Sequence, residues 1–154
     1  MRRFAVLACL VCAVPLSLPA QAVIAGTWFT EFDTQVRIMN GVESSAGKGH
    51  ARIELQVTGD SIHGTWQTLG ATGAPDGPPR LLAGTLTSAG AHIQALKPSE
   101  IVTRVMESET HTQAMMNYTV ALHGDSLVGT EQWVAVDHSS QGPARRFTAT
   151  RKQS

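Results

Sequence analysis

The chain has 154 residues, with 12 basic and 12 acidic side chains, and both of its cysteines, Cys9 and Cys12, fall within an apolar N-terminal run. Beyond Arg2-Arg3, clustered Lys/Arg is limited to Arg145-Arg146 and Arg151-Lys152, so the charge pattern argues against a basic face for nucleic acid or anionic membrane. The length suits one hydrophobic core and is short for two ordinary domains.

Residues 1–22 read as a signal peptide. Arg2-Arg3 supply a basic start, Phe4 to Leu18 are almost wholly apolar, and Ala20-Gln21-Ala22 places small residues where a signal peptidase reads them. Cleavage after Ala22 is expected, leaving 23–154 as a single domain. The apolar run is short for a bilayer span and contains Pro15. The remaining chain then has no cysteine, which removes disulfides, thiolate nucleophiles and cysteine metal ligands together. The expected location is the periplasm or the exterior of a bacterium, with no stable membrane insertion after cleavage.

From Thr27 to Met39 the even positions Trp28, Thr30, Phe32, Thr34, Val36 and Ile38 alternate with the more polar Glu31, Asp33, Gln35 and Arg37. Period-two alternation of this length predicts a long strand with one buried face. Asn40 to His50 is rich in Gly and Ser and is expected to be a mobile loop. Alternation resumes over Arg52–Val57 with Ile53, Leu55 and Val57 inward. A Gly59-Asp60 turn follows, then a strand from Ser61 to about Leu69. Gly70 to Pro79 holds three glycines and three prolines and forms a second long loop. Leu81–Thr87 and Ala91–Leu96 flank Ser88-Ala89-Gly90 as a hairpin. Ser99 to Met106 suits a strand by its β-branched content, with a helical turn capped by Ser99 as the alternative. Gln113–Leu122 points Met116, Tyr118, Val120 and Leu122 inward. Leu127–Val136 follows a second Gly-Asp turn, and Arg145–Arg151 closes the chain with Phe147 and Ala149 inward.

One turn is written twice. Gly59-Asp60-Ser61-Ile62-His63-Gly64-Thr65-Trp66-Gln67 returns as Gly124-Asp125-Ser126-Leu127-Val128-Gly129-Thr130-Glu131-Gln132. Each copy sets Gly-Asp at the tight turn between two alternating runs. Repeated hairpins of this kind predict an all-β fold: an antiparallel up-and-down meander of about eight strands that removes its edges by closing into a barrel. An interior of that size is either just filled by side chains or holds one small ligand.

Gly26-Thr27-Trp28, the two Gly-Asp-Ser turns, Leu82 to Gly84 and the final Phe147 to Arg151 together resemble small exported bacterial β-barrel proteins, lipocalin-like in architecture and mostly without an assigned function. The resemblance rests on turns and closure, so it implies a fold and no activity. The opening Gly-Thr-Trp is also similar to the biotin-binding avidins. An Asn and a Ser are expected shortly after that Trp, and Phe29 to Thr34 supplies Thr, Glu, Phe and Asp instead. A barrel inhibitor of secreted metalloproteases is a further likeness in architecture, but its disulfide and N-terminal trunk have no counterpart in Val23-Ile24-Ala25.

No Gly-x-Ser-x-Gly elbow, phosphate-cradling glycine loop or His-Glu-x-x-His motif occurs, so no catalysis and no cofactor are expected. Glu107, Glu109 and His111 share a strand face and could bind a hard metal, although a solvated outer face is the simpler reading, and no metal site is assigned. Trp66, Met116, Tyr118 and Trp28 are the candidate lining of a ligand lumen, with Trp28 also placed to plug one end. Trp66 is expected to face inward, and Glu131, its counterpart in the second copy, to pair inside with Arg151. The functional expectation is a non-catalytic binding barrel for a small apolar ligand. The alternative is a protein–protein module of the cell envelope, an inhibitor or accessory factor, acting through the loops 40–50 and 70–79.

Overall fold

The computed structural model describes residues 24–39, 42–105 and 108–151, so the expected signal segment 1–22 lies outside them. Nine strands follow in chain order: β1 (Gly26–Met39), β2 (Val42–Thr58), β3 (Ser61–Leu69), β4 (Arg80–Thr87), β5 (Gly90–Ala95), β6 (Ser99–Val105), β7 (Ser108–His123), β8 (Ser126–Ala135) and β9 (Arg145–Thr150). Every pairing is antiparallel, between chain neighbours, apart from β1 with β9 and β5 with β7. Those two pairings close an eight-strand barrel, with β6 added beside the distal part of β7. The meander and its closure agree with the fold expected from the alternation.

β5 and β6 are one run broken at Leu96-Lys97-Pro98. Pro98 has no N–H to give to a ladder, and the break lets β7 pair with β5 over 117–120 and with β6 over 108–114. Ser99–Val105 is a strand, as its β-branched content favoured, and not a helical turn.

The expected loop over 40–50 is corrected. Within it, Val42 to His50 belong to β2 and pair with β1 from Met39 down to Glu31. Its glycines suit packing and not a turn: a Cβ at Gly49 would lie 2.6 Å from the Phe32 ring, and one at Gly47 would lie 2.9 Å from Thr34 Oγ1. Gly70–Pro79, in contrast, is a loop between β3 and β4, held by Gly73 N–H to Gly70 O at 2.9 Å and by the Leu69–Pro75 bridge.

The repeat extends well past the turn. Gly77-Pro78-Pro79-Arg80 in the first half matches Gly142-Pro143-Ala144-Arg145 in the second at the same spacing from the turn. The registers repeat too. Leu55 faces Gly64 as Val120 faces Gly129; Trp66 faces Arg80 as Glu131 faces Arg145; Gly26 faces Leu55 as Ala91 faces Val120. The barrel is therefore two four-strand units, with β3–β4 equivalent to β8–β9. Both turns use Gly at positive φ, +58° at Gly59 and +60° at Gly124, the geometry of a two-residue hairpin with Gly first.

This topology makes the two ends unlike. The short turns at 59–60, 88–89 and 124–125 lie at one end, where Trp28, wholly buried, donates its indole N–H to Ile24 O at 2.9 Å. All the long connections lie at the other end: the loops 70–79 and 136–144, and the two-strand arms made by distal β1–β2 and by β6–β7. Between the ends, Ile53, Leu55, Ile62, Leu82, Ile93, Val120, Leu127 and Ala149 form the buried core. The outer faces of the strands are mainly polar, with Thr27, Glu54, Gln56, His63, Thr85, Gln94, Thr119 and Thr148 all exposed.

Candidate functional site at the open end of the barrel

The upper interior is built on Trp66, whose inward direction follows from its parity with Ile62 and whose side chain is buried. Tyr118 stacks on it, with ring centroids 5.3 Å apart and planes 21° from parallel. Phe147 meets both rings edge-on at 6.1 and 6.3 Å, and Phe32 closes the group at 6.0 Å from Trp66. Offset and edge-on contacts of this kind suit the ring quadrupoles, so the four aromatics fill the lumen as one unit. Trp66, Tyr118 and Met116 thus come together on the inner wall, Met116 only partly buried beside the core. Trp28 is separated from them at the closed end.

Polar groups sit on the open side of this stack. Arg80 opens β4 and is half-buried; its Nη1 donates to the Tyr118 hydroxyl at 2.8 Å. Ala95, wholly buried and small, is the β5 residue facing Leu82, next to the path Arg80 takes from β4 to β7. Burial pushes the Tyr118 phenol up to about 12, against the pull of Arg80, so it stays a neutral hydroxyl. Glu131 stands opposite Tyr118 on one side and opposite Arg145 on the other. Burial raises its carboxyl above the ordinary carboxylate range, while Arg145 and Arg80 draw it back down. Trp133 lies further out on the same face of β8, against Gly142, where a Cβ would strike the indole.

The expected Glu131–Arg151 pair is corrected by the same register. Arg151 does have inward parity, but Thr150 pairs with Ser126 beside the turn, which leaves Arg151 at the closed end. There its guanidinium carbon lies 4.2 Å from the Trp28 ring centroid, and Nη2 donates to Ala25 O at 3.0 Å. Arg145, six residues earlier in the chain, is the cation that faces Glu131.

Both loops at the open end are tied down by the last residue of the repeated motif. Gln67 donates to Gly77 O at 3.0 Å and Gln132 donates to Gly142 O at 2.9 Å. Each amide fixes the Gly-Pro step that delivers the next arginine, Arg80 or Arg145, to the start of its strand. A cleft of about 450 Å3 opens next to the first of these loops, lined by Phe29, Glu31, His50, Leu69, Gly70 and Ala71 among others. It lies on the outer side of the wall, away from the aromatic lumen.

The expected acidic face on β7 is a surface network. Glu107 lies outside the described residues; Glu109 accepts from Arg104 Nε at 2.7 Å and contacts His111 at 3.1 Å, and His111 Nδ1 reaches Glu100 at 3.0 Å. The Arg104 hydrogen bond holds Glu109 below its usual range. Among the described residues no group of three or more His, Cys, Asp or Glu is arranged to hold a metal.

Sequence reasoning placed Trp66, Met116 and Tyr118 on the inner wall, and Phe32 on the buried face of its strand, but missed Arg80 and Arg145 as their neighbours. The signal for the arginines was present in the two Gly-Pro-x-Arg segments, which extend the repeat beyond its turn. No protein-family model matches this chain, and neither a curated protein nor a solved structure has significant similarity to it.

Proposed function

We propose that this chain is an exported bacterial binding protein, non-catalytic, that takes a small and largely apolar molecule at the open end of its barrel. The observation that carries the reading is the asymmetry of the ends. One end is tied by short turns and plugged by Trp28, while the other gathers both long loops, both arms and the half-buried Phe32, Met116 and Trp133 around a polar group of Arg80, Tyr118, Glu131 and Arg145. Apolar walls with a few convergent polar groups are the usual make-up of small-molecule sites. The non-catalytic part of this reading rests on the sequence, which carries no Gly-x-Ser-x-Gly elbow, phosphate-cradling glycine loop or His-Glu-x-x-His motif.

Export to the periplasm or beyond rests on the N-terminal pattern of residues 1–22, and the likeness to bacterial lipocalin-like barrels on the turn and closure motifs.

A second reading, a protein–protein module of the cell envelope, is favoured by one specific observation. The aromatic stack already fills the lumen, which leaves the arms, the loop 70–79 and its outer cleft as the accessible features. Native mass spectrometry of the protein purified from its own host tests both. A co-purified small molecule supports the first reading. A co-purified protein in stoichiometric amount overturns it in favour of the second.

A further inference from the structure

The internal duplication bears directly on the open end. In the ring order β5-β4-β3-β2-β1-β9-β8-β7, closed by β5–β7, strands β4 and β9 stand diametrically opposite. Arg80 and Arg145 are the first residues of those strands and equivalent members of the two halves. Both have inward parity, Arg80 with Leu82 and Arg145 with Phe147, so the two guanidiniums approach the mouth from facing walls.

Their partners differ between the halves. Arg145 faces Glu131, whereas the equivalent position facing Arg80 is Trp66. Glu131 thus faces two arginines, and both act on it electrostatically; Arg145 also acts on Asp33 of β1, whose exposed carboxylate is held by Lys48 at 2.7 Å. The other acidic groups of the neighbouring loops, Asp76 and Asp137, are exposed, and Asp137 is engaged by Ser139 at 2.6 Å. Among the inward-facing groups of the mouth, two guanidiniums therefore outnumber one carboxylate, a local surplus of positive charge beside a neutral tyrosine hydroxyl, with Met116, Trp133 and Phe32 outside it. Guanidinium forks recognise carboxylates in two-point fashion, and a partly desolvated site strengthens that contact.

We infer that the ligand of this barrel is a small organic carboxylate with an apolar, ring-bearing body, its head group held between Arg80 and Arg145 and its body lying toward Met116, Trp133 and Phe32. The inference rests on the small-molecule reading above and narrows it. Trp66 and Tyr118 form the floor, and the Tyr118 hydroxyl supplies a further polar contact to the head. Glu131 limits the surplus charge and so competes with the ligand for the arginines.

The test uses the full chain and three matched probes: 4-phenylbutyrate, 4-phenylbutan-1-ol and 4-phenylbutylamine. Binding is followed by tryptophan fluorescence and calorimetry. The carboxylate is expected to bind at least tenfold more tightly than the alcohol, and the amine more weakly still. Arg80→Met should erase the preference for the acid over the alcohol. Glu131→Gln should tighten the acid several-fold and leave the alcohol unchanged, a gain that a misfolded variant cannot imitate. Equal binding of acid and alcohol, unaffected by Arg80→Met, overturns the carboxylate inference and leaves the small-molecule reading in place. An unchanged acid affinity in Glu131→Gln also overturns it. If none of the probes binds and no small molecule co-purifies, the small-molecule reading fails as well.

Discussion

Arg151 lies over the Trp28 indole, its guanidinium carbon 4.2 Å from the ring centroid, and so joins the residue just after β9 to the start of β1. The same side chain donates to Ala25 O, which places a cation and a hydrogen bond across the closed end. The β1–β9 seam needs such help, because among the described residues its ladder has only the register pairs Phe29–Thr150 and Thr30–Ala149, with Thr30 Oγ1 donating to Thr148 O at 2.9 Å. Arg151→Ala should cost about 1–2 kcal/mol, combining an exposed cation–π contact with one hydrogen bond. Urea unfolding checks this, and Arg151→Lys should recover part of the loss by keeping the charge without the planar fork.

Gly64 and Gly129 occupy equivalent places in the two halves, and each lies against a backbone carbonyl. A Cβ at Gly64 would collide with Glu54 O, and one at Gly129 with Thr119 O. A main-chain obstacle cannot rotate aside, so Gly64→Ala and Gly129→Ala should each destabilise by about 1–3 kcal/mol through overpacking. Chemical denaturation of both variants measures it. A neutral result at either site would mean that the strand pair there separates without cost.

Gln67 and Gln132 hold their loops by single amide hydrogen bonds to Gly77 O and Gly142 O. Gln67→Ala and Gln132→Ala should each cost roughly 1 kcal/mol. The losses should add in the double variant, because the two amides serve separate loops on separate strand pairs. Limited proteolysis should then cut first within 70–79 in one variant and within 136–144 in the other.

Glu131 gives a pH signature. Its folded carboxyl is raised by burial, with Arg145 and Arg80 opposing. A raised folded pKa means that the native state holds the proton more tightly than the unfolded chain does. The associated stabilisation is present below the unfolded carboxylate value near 4.5 and is lost as pH rises through the folded value. Asp33, Glu109 and Asp137 are shifted the other way and oppose this trend at acid pH, equally in both proteins compared. Against Glu131→Gln, the natural chain should therefore gain relative stability as the pH falls toward 4.5, and fall behind again above the folded value. Melting temperatures measured across pH 4–8 decide it, and a difference independent of pH would show that Glu131 does not titrate inside the barrel.

The loop expected over 40–50 shows where composition misleads. Gly47 and Gly49 lower strand propensity, yet they are in β2 because Thr34 and Phe32 occupy the space their side chains would need. That requirement comes from the facing strand and is invisible within the segment itself. The strand over 99–105 was legible, since Ile101, Val102, Thr103 and Val105 are β-branched and Pro98 stops the preceding run.

Outside the 42–50 part of β2, local sequence determined the strands, the two Gly-Asp turns and which side chains face in, because alternation and positive-φ glycine are properties of a few adjacent residues. It placed Trp66, Met116 and Tyr118 on the inner wall for that reason. Tertiary structure alone decided height along the barrel and partners across it. Parity puts Arg145 and Arg151 on the same face, but a nine-residue connection over 136–144 does not fix the register between β8 and β9 as a two-residue turn does. Pairing with the neighbouring strand sets that register, and so sends Arg151 to Trp28 at the closed end and Arg145 to Glu131 at the open one. Closure of the ring then sets Arg80 opposite Arg145, a relation between residues in separate halves that no local pattern contains.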